Sequence, residues 1–305
     1  MKRSIILCCG ILLALNTSAQ QNIEGIVNTS NQQRVFLIHL PVNYKPGVPL
    51  PVVLLFHGGG GTYKQMQRYM GMDAIADREN FITVYPNGID KQWNDGRDFK
   101  PAVAANDDVQ FITQLLDTLL QKYAVDKNRV FVTGISNGGF FSLYLSYKLC
   151  NRLLAAAPVC ANIPEKIFSS FFPAQPISLL LINGTADPLV PYAGGRVGNV
   201  FTGGRGNCIS TDSTIKRFIT INHTSATPLV TLLPDADAKD QCTATRYLYT
   251  GGTGNSKVCL VKITNGGHTL PGAGQYLPKI IVGRVCNDFK GSEMVWDFFK
   301  TCLPK

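Results

Sequence analysis

Gly134-Ile135-Ser136-Asn137-Gly138-Gly139 follows the apolar run Val130-Phe131-Val132 and opens the helix-like run Phe140 to Leu149. Strand, tight turn and helix in that order make an elbow that pushes a serine out at the carboxyl end of a strand. Its backbone is strained enough that both neighbours must be small. Gly134 and Gly138 meet that requirement, so Ser136 is the candidate nucleophile. Because GxSxG also arises by chance, the reading depends on what else the chain carries.

Upstream, Val52-Val53-Leu54-Leu55-Phe56 is a continuous apolar run suited to a strand buried on both faces, and it ends in His57-Gly58-Gly59-Gly60-Gly61. When a serine attacks an ester carbonyl, the oxygen becomes negative and needs preorganised N–H groups aimed at it. Glycines let the backbone approach and turn. The expected oxyanion donors are the N–H of Asn137 and one from Gly58 or Gly59, with His57 bracing the loop. Phe81 to Tyr85 reads as another strand, closed by Pro86-Asn87-Gly88. The polar loop Gln92 to Arg97 follows and carries Trp93, one of two tryptophans. An indole there can be a substrate platform or a plug over the core; both readings stay open, and Trp93 is kept as a candidate substrate contact. Asn106 is placed to cap the next helix, with Asp107 and Asp108 in its first turn against the dipole rather than as a catalytic pair.

Downstream, Ala155 to Cys160, Ile177 to Ile182 and Val258 to Ile263 are further apolar strands. The alternation predicts an α/β fold with a mostly parallel central sheet flanked by helices. Residues 23–41 read as an opening hairpin, Ile23 to Val27 and Arg34 to Leu40, with His39 an ordinary strand residue. Functional groups in such sheets gather beyond the carboxyl ends of strands. Asp187 stands at one such end, which favours it as the acid over Asp212, Asp235, Asp237 and Asp240. His268, in the glycine loop after the last strand, is placed to be the base, whereas His223 has no motif around it. The order Ser136, Asp187, His268 is that of the α/β-hydrolase fold. Residues 190–255, rich in Gly and Thr, are too long for a simple connection and read as an excursion over the catalytic face.

Composition bounds the rest. Lys2 and Arg3, the apolar stretch Ile5 to Leu15 and the small residues before Gln20 predict a cleaved signal over 1–19 and an exported protein, extracellular or periplasmic. The apolar run is short for a membrane span, and Cys8 and Cys9 make a poor lipid-attachment site. Removing nineteen of 305 residues leaves 286, a size that one catalytic domain can occupy, and lowers the formal charge from +9 to +7. The basic residues are scattered, so neither nucleic acid nor membrane is an expected partner. Seven cysteines remain, an odd number that predicts disulfides with at least one thiol left over. Cys286 with Cys302, and Cys208 with Cys242 or Cys259, are the pairings considered. No cysteine or histidine spacing suits zinc, and no cofactor is called for.

Together these motifs resemble secreted esterases of the polyhydroxybutyrate depolymerase and feruloyl esterase type, in carbohydrate esterase family one. The resemblance rests on His57-Gly58, Tyr85 to Gly88, Trp93 to Arg97, Asp107 to Val109, Gly134 to Gly139, Gly184 to Pro188 with Val190-Pro191-Tyr192, and Gly267-His268-Thr269 with Pro271-Gly272. It implies the same Ser-His-Asp triad, no metal, and ester substrates that are often polymer-bound. Leu270 stands where many relatives have a tryptophan, and Phe218 and His223-Thr224 where a tryptophan and a cysteine are expected. The acyl pocket, with Leu270 as a candidate substrate contact, is therefore expected to differ. A silent hydrolase-fold binding protein, and a peptidase or acyltransferase using the same triad, are the alternative readings.

Overall fold

The structure, a computed structural model, describes residues 21–29, 32–97 and 100–303. The expected signal segment lies outside them. In chain order the strands are β1 Asn22–Thr29, β2 Gln32–His39, β3 Leu50–Phe56, β4 Ile82–Pro86, β5 Val125–Ile135, β6 Ala155–Val159, β7 Ser178–Gly184, β8 Gly195–Arg196, β9 Asn207–Cys208, β10 Leu229–Leu232, β11 Thr243–Tyr249 and β12 Val258–Thr264. The helices are α1 Tyr63–Met70, α2 Met72–Glu79, α3 Pro101–Ala104, α4 Asp108–Lys122, α5 Asn137–Lys148, α6 Thr211–Asn222, α7 Lys279–Val282 and α8 Gly291–Cys302.

Ten strands form one sheet in the order β1-β2-β4-β3-β5-β6-β7-β12-β11-β10. The six from β4 to β12 are parallel, and an antiparallel hairpin closes each edge. Continuous apolar runs are what a doubly covered sheet needs: every residue of β3, β6 and β7 is buried. Side chains alternate between two cores. Val52, Leu54, Val130 and Val132 face α4, α5 and α6 through Phe111, Leu115, Phe141 and Phe218. Val53, Leu55, Phe131 and Leu180 face α1, α2 and α8 through Met70, Ile75, Trp296 and Phe299. Among the described residues no helix is long and apolar enough to cross a membrane.

Four expectations change. The opening ladder runs on to the pair Thr29–Gln32, beyond the expected strand ends Val27 and Arg34. Asp107, not Asn106, caps α4, its Oδ1 accepting from Gln110 N–H at 2.9 Å. Residues 190–255 are not one excursion: 211–249 return to the body as α6, β10 and β11, and only the short β8–β9 ribbon and its flanks cross the catalytic edge. The cause is that α6 carries an apolar stripe, Ile215 and Phe218, which is buried on the sheet. Finally, all seven described cysteines are free thiols. Cys286 has the Cys242 thiol beside it and Cys259 lies near Cys302, unlike the pairings considered from spacing.

Candidate active site

β5 ends at Ile135, α5 begins at Asn137, and Ser136 between them takes φ 57° and ψ −123°. Left-handed backbone is costly for a residue with a side chain. The surroundings enforce it: Ser136 N–H donates to Val159 O at 3.0 Å, and the elbow packs directly on the end of β3. A methyl on Gly138 would be driven into Phe56 O and lie 2.6 Å from His57 O; one on Gly134 would meet Gly138 O at 2.5 Å. Gly58 lies beside the serine, since a methyl there would come 3.6 Å from Ser136 Cβ. The N–H groups of Asn137, Gly58 and Gly59 have no acceptor among the described residues. Asn137 N–H is one of the orphan donors of a helix start. The structure therefore leaves free donors next to Ser136 on both expected segments.

Asp187 follows β7 by three residues and His268 follows β12 by four. His268 Nδ1 donates to Asp187 Oδ2 at 2.7 Å, with both side chains almost fully buried. The second oxygen, Oδ1, accepts from Leu189 N–H and Val190 N–H, each at 2.8 Å. A carboxylate has no hydrogen to give, so this contact places the imidazole proton on Nδ1 and leaves Nε2 with its lone pair. The other candidate acids are occupied elsewhere. Asp240 accepts from Cys242 N–H and Asn287 N–H, Asp212 from Tyr192 Oη, and Asp237 from Asn287 Nδ2. Asp235 makes no contact that brings it to His268. His39 binds Asp77 and Asn22 at the sheet edge, and His223 ends α6.

His57 is buried at the root of the glycine loop. Its Nδ1–H donates to Gly58 O at 2.9 Å, and its Nε2 accepts from Gly88 N–H at 3.0 Å. Burial pushes its pKa down to about 4, so the ring is a neutral brace. Two substrate-contact expectations are overturned. Trp93 is wholly buried, stacked on Phe141 at 5.0 Å and edge-on to Phe56, with Nε1–H donating to His57 O at 3.0 Å. It plugs the core beneath the glycine loop, because its polar atom is satisfied inward and both ring faces are covered. Leu270 is also buried, against Gly291 of α8, and its N–H donates to Tyr69 Oη at 2.9 Å. Phe218, the other departure from the family pattern, is a core residue packed on Phe171.

A cleft of about 650 Å³ opens over Ser136, lined by the glycine loop, Gln65, Arg68, Tyr69, Tyr276 and Leu277. Tyr276 Oη donates to His268 O at 3.1 Å and its ring sits edge-on to Tyr69. Sequence reasoning missed both tyrosines, since nothing local marks them. It also missed what holds Asn137. The side-chain Oδ1 of Asn137 accepts from Trp93 N–H, and Nδ2 donates to Asp95 Oδ2 at 2.6 Å. Asp95 is in turn paired with Arg97, in a buried ion pair at 2.5 Å. Cys160 was read only as one thiol among seven. Its backbone is left-handed, φ 51°, and its Sγ faces Asp187 and Thr269 O, with burial raising the thiol pKa well above normal. Cys160, Asp187 and His268, and separately Asp240, Cys286 and Asp288, bring possible metal-ligand atoms within 4.8 Å of one another.

Residues 27–157 match the family described as "Putative esterase". The "Putative esterase NocK" of Nocardia uniformis subsp. tsuyamanensis is 26% identical over 285 residues, 89% of this chain and 80% of that protein. Feruloyl esterase B of Piromyces equi is 26% identical over 77% of this chain, but the match spans only 42% of its own length. The solved acetyl xylan esterase from Aspergillus awamori superposes with a TM-score of 0.59, covering 92% of this chain and 99% of the other at 13% identity. Sheet, elbow and relatives agree: the chain is a carboxylic-ester hydrolase of the α/β-hydrolase fold, similar to the feruloyl esterase group.

Proposed function

We propose that the chain is an exported serine esterase in which Ser136 attacks the ester carbonyl and His268 accepts its proton through Nε2. Asp187 fixes the Nδ1–H tautomer and stabilises the imidazolium. The tetrahedral oxyanion is received by the N–H of Asn137 and that of Gly58 or Gly59. His268 then protonates the leaving alcohol, water enters, and the same base activates it to release the acid and regenerate Ser136. The observation that carries this reading is the buried Asp187–His268 bond, at the same strand-end edge as a serine in a strained elbow. The substrate class we infer is polymer-linked: feruloyl or acetyl esters of plant polysaccharide, or polyhydroxyalkanoate. The family resemblance and the name of feruloyl esterase B support it.

The test is initial rates of residues 20–305 and single mutants on methyl ferulate, 4-nitrophenyl acetate and hydroxybutyrate oligomers. Ser136→Ala is expected to lower kcat by about 10⁴-fold or more, and Asp187→Asn by a comparable factor. Wild-type turnover in Ser136→Ala would remove the proposed nucleophile. Activity lost in Asp240→Asn but kept in Asp187→Asn would move the acid. Export is checked separately by amino-terminal sequencing of the protein recovered outside the cytoplasm, expected to start at Gln20.

A further inference from the structure

The loop between β8 and β9 returns Arg205 to the oxyanion segment. A methyl placed on Gly59 would meet Arg205 Nη1 at 2.5 Å and Gln92 Oε1 at 2.9 Å, so both polar ends crowd the outer side of that glycine. Arg205 is half-buried; its backbone N–H donates to Val197 O at 2.9 Å, but its guanidinium has neither a hydrogen-bond partner nor an ion-pair partner among the described residues. Its charged neighbours are Arg97 and Asp95, and Asp95 is already taken up by Arg97 and by Asn137 Nδ2. Burial, together with the like charge of Arg97, lowers the Arg205 pKa. A partly desolvated cation left without an anion is unfavourable unless something arrives to pair with it. Gln92 is 7% exposed, and its Oε1 has no hydrogen-bond partner. Among the described residues no aspartate or glutamate lines the neighbouring cleft, whose wall carries a second cation, Arg68.

We propose that Arg205 and Gln92 form an anion subsite beside the oxyanion loop, and that the preferred substrate is an ester carrying a carboxylate near its scissile bond. The planar guanidinium suits a carboxylate, and the unpaired Gln92 oxygen suits a hydroxyl next to it. A hydroxy-acid or uronic-acid component of the ester meets both demands. The inference rests on the esterase reading and makes Arg205 a specificity-determining residue.

The experiment compares kcat/KM within two matched pairs. On the acyl side, the 4-nitrophenyl monoester of succinate is set against 4-nitrophenyl succinamate; on the alcohol side, 4-acetoxybenzoate against 4-acetoxybenzamide. In wild type one pair is expected to favour the anion by about tenfold, the worth of one charge-assisted contact. The preference should shrink several-fold between about 20 mM and about 500 mM salt, as screening grows. Arg205→Gln should bring the ratio near one, and Arg205→Lys should keep part of it. Because the readout is a ratio within each protein, a general loss of stability does not imitate the result. Neutral esters cleaved without anionic preference, or a preference that survives Arg205→Gln, would overturn the subsite and leave the esterase reading intact. Failure of wild type to cleave any of the four esters would overturn both.

Discussion

Neutral His57 has a cost that appears at acid pH. Its folded pKa of about 4 lies below the ordinary 6.5, so between these values the unfolded chain binds a proton that the folded chain refuses. Stability is therefore full above about pH 6.5 and is lost as pH falls toward 4, by about 3 kcal/mol at most. Denaturant melts between pH 7 and pH 4.5 should show this slope, and His57→Gln, which cannot titrate, should flatten it. Trp93 gives a second residue-scale outcome. A buried plug acts through the loop above it, so Trp93→Phe, which loses the bond to His57 O, should lower kcat with KM little changed. Trp93→Ala should in addition cost about 3 to 5 kcal/mol in stability. A substrate platform would instead raise KM in Trp93→Ala with stability unaffected. The sequence left that choice open because composition places an indole in a loop without saying which way the loop folds.

Elements are more legible in the sequence than single side-chain roles. Every parallel strand and the Ser136 elbow are where periodicity and glycine spacing put them, because a doubly buried strand needs an unbroken apolar run and that run is local information. Gly138→Ala tests the elbow: with Phe56 O and His57 O in the way, the variant should be strongly destabilised or insoluble, as judged by soluble yield and melting temperature. Helix starts were less secure. Asn106 and Asp107 are adjacent good caps, and only the structure shows Asp107 accepting from Gln110. Asp107→Ala is accordingly expected to cost about 1 kcal/mol and Asn106→Ala much less. The stretch 190–255 was misread for a related reason. Its strands β10, at the sheet edge, and β11 beside it are at most partly buried and carry weak apolar signals, and their place in the sheet depends on β11 pairing with β12 and β10 with β11.

Across the molecule, long-range polar contacts fix the loops of the catalytic edge. Arg34, on β2, pairs at 2.6 Å with buried Asp108 at the start of α4, whose other oxygen accepts from Asn94 N–H. This joins the hairpin edge to the loop that carries Trp93 and Asp95. Asp108→Ala strands the Arg34 charge in the core and should cost about 3 to 5 kcal/mol by equilibrium unfolding, whereas an exposed first-turn acid would cost little. The sequence by itself determined the parallel strands, the elbow and the order Ser136, Asp187, His268. These follow from hydrophobic runs, small residues at strained positions, and loops at strand ends, all written within a few residues of each other. Only the tertiary structure decided that Trp93 and Leu270 are core, that Asp95 and Arg97 hold Asn137, and that Arg205 reaches Gly59. Apart from the Asp95–Arg97 pair, those contacts join residues far apart in the chain, 42 positions for Asp95 and Asn137 and 201 for Tyr69 and Leu270, and burial and charge pairing at that range depend on how the chain closes rather than on any local pattern.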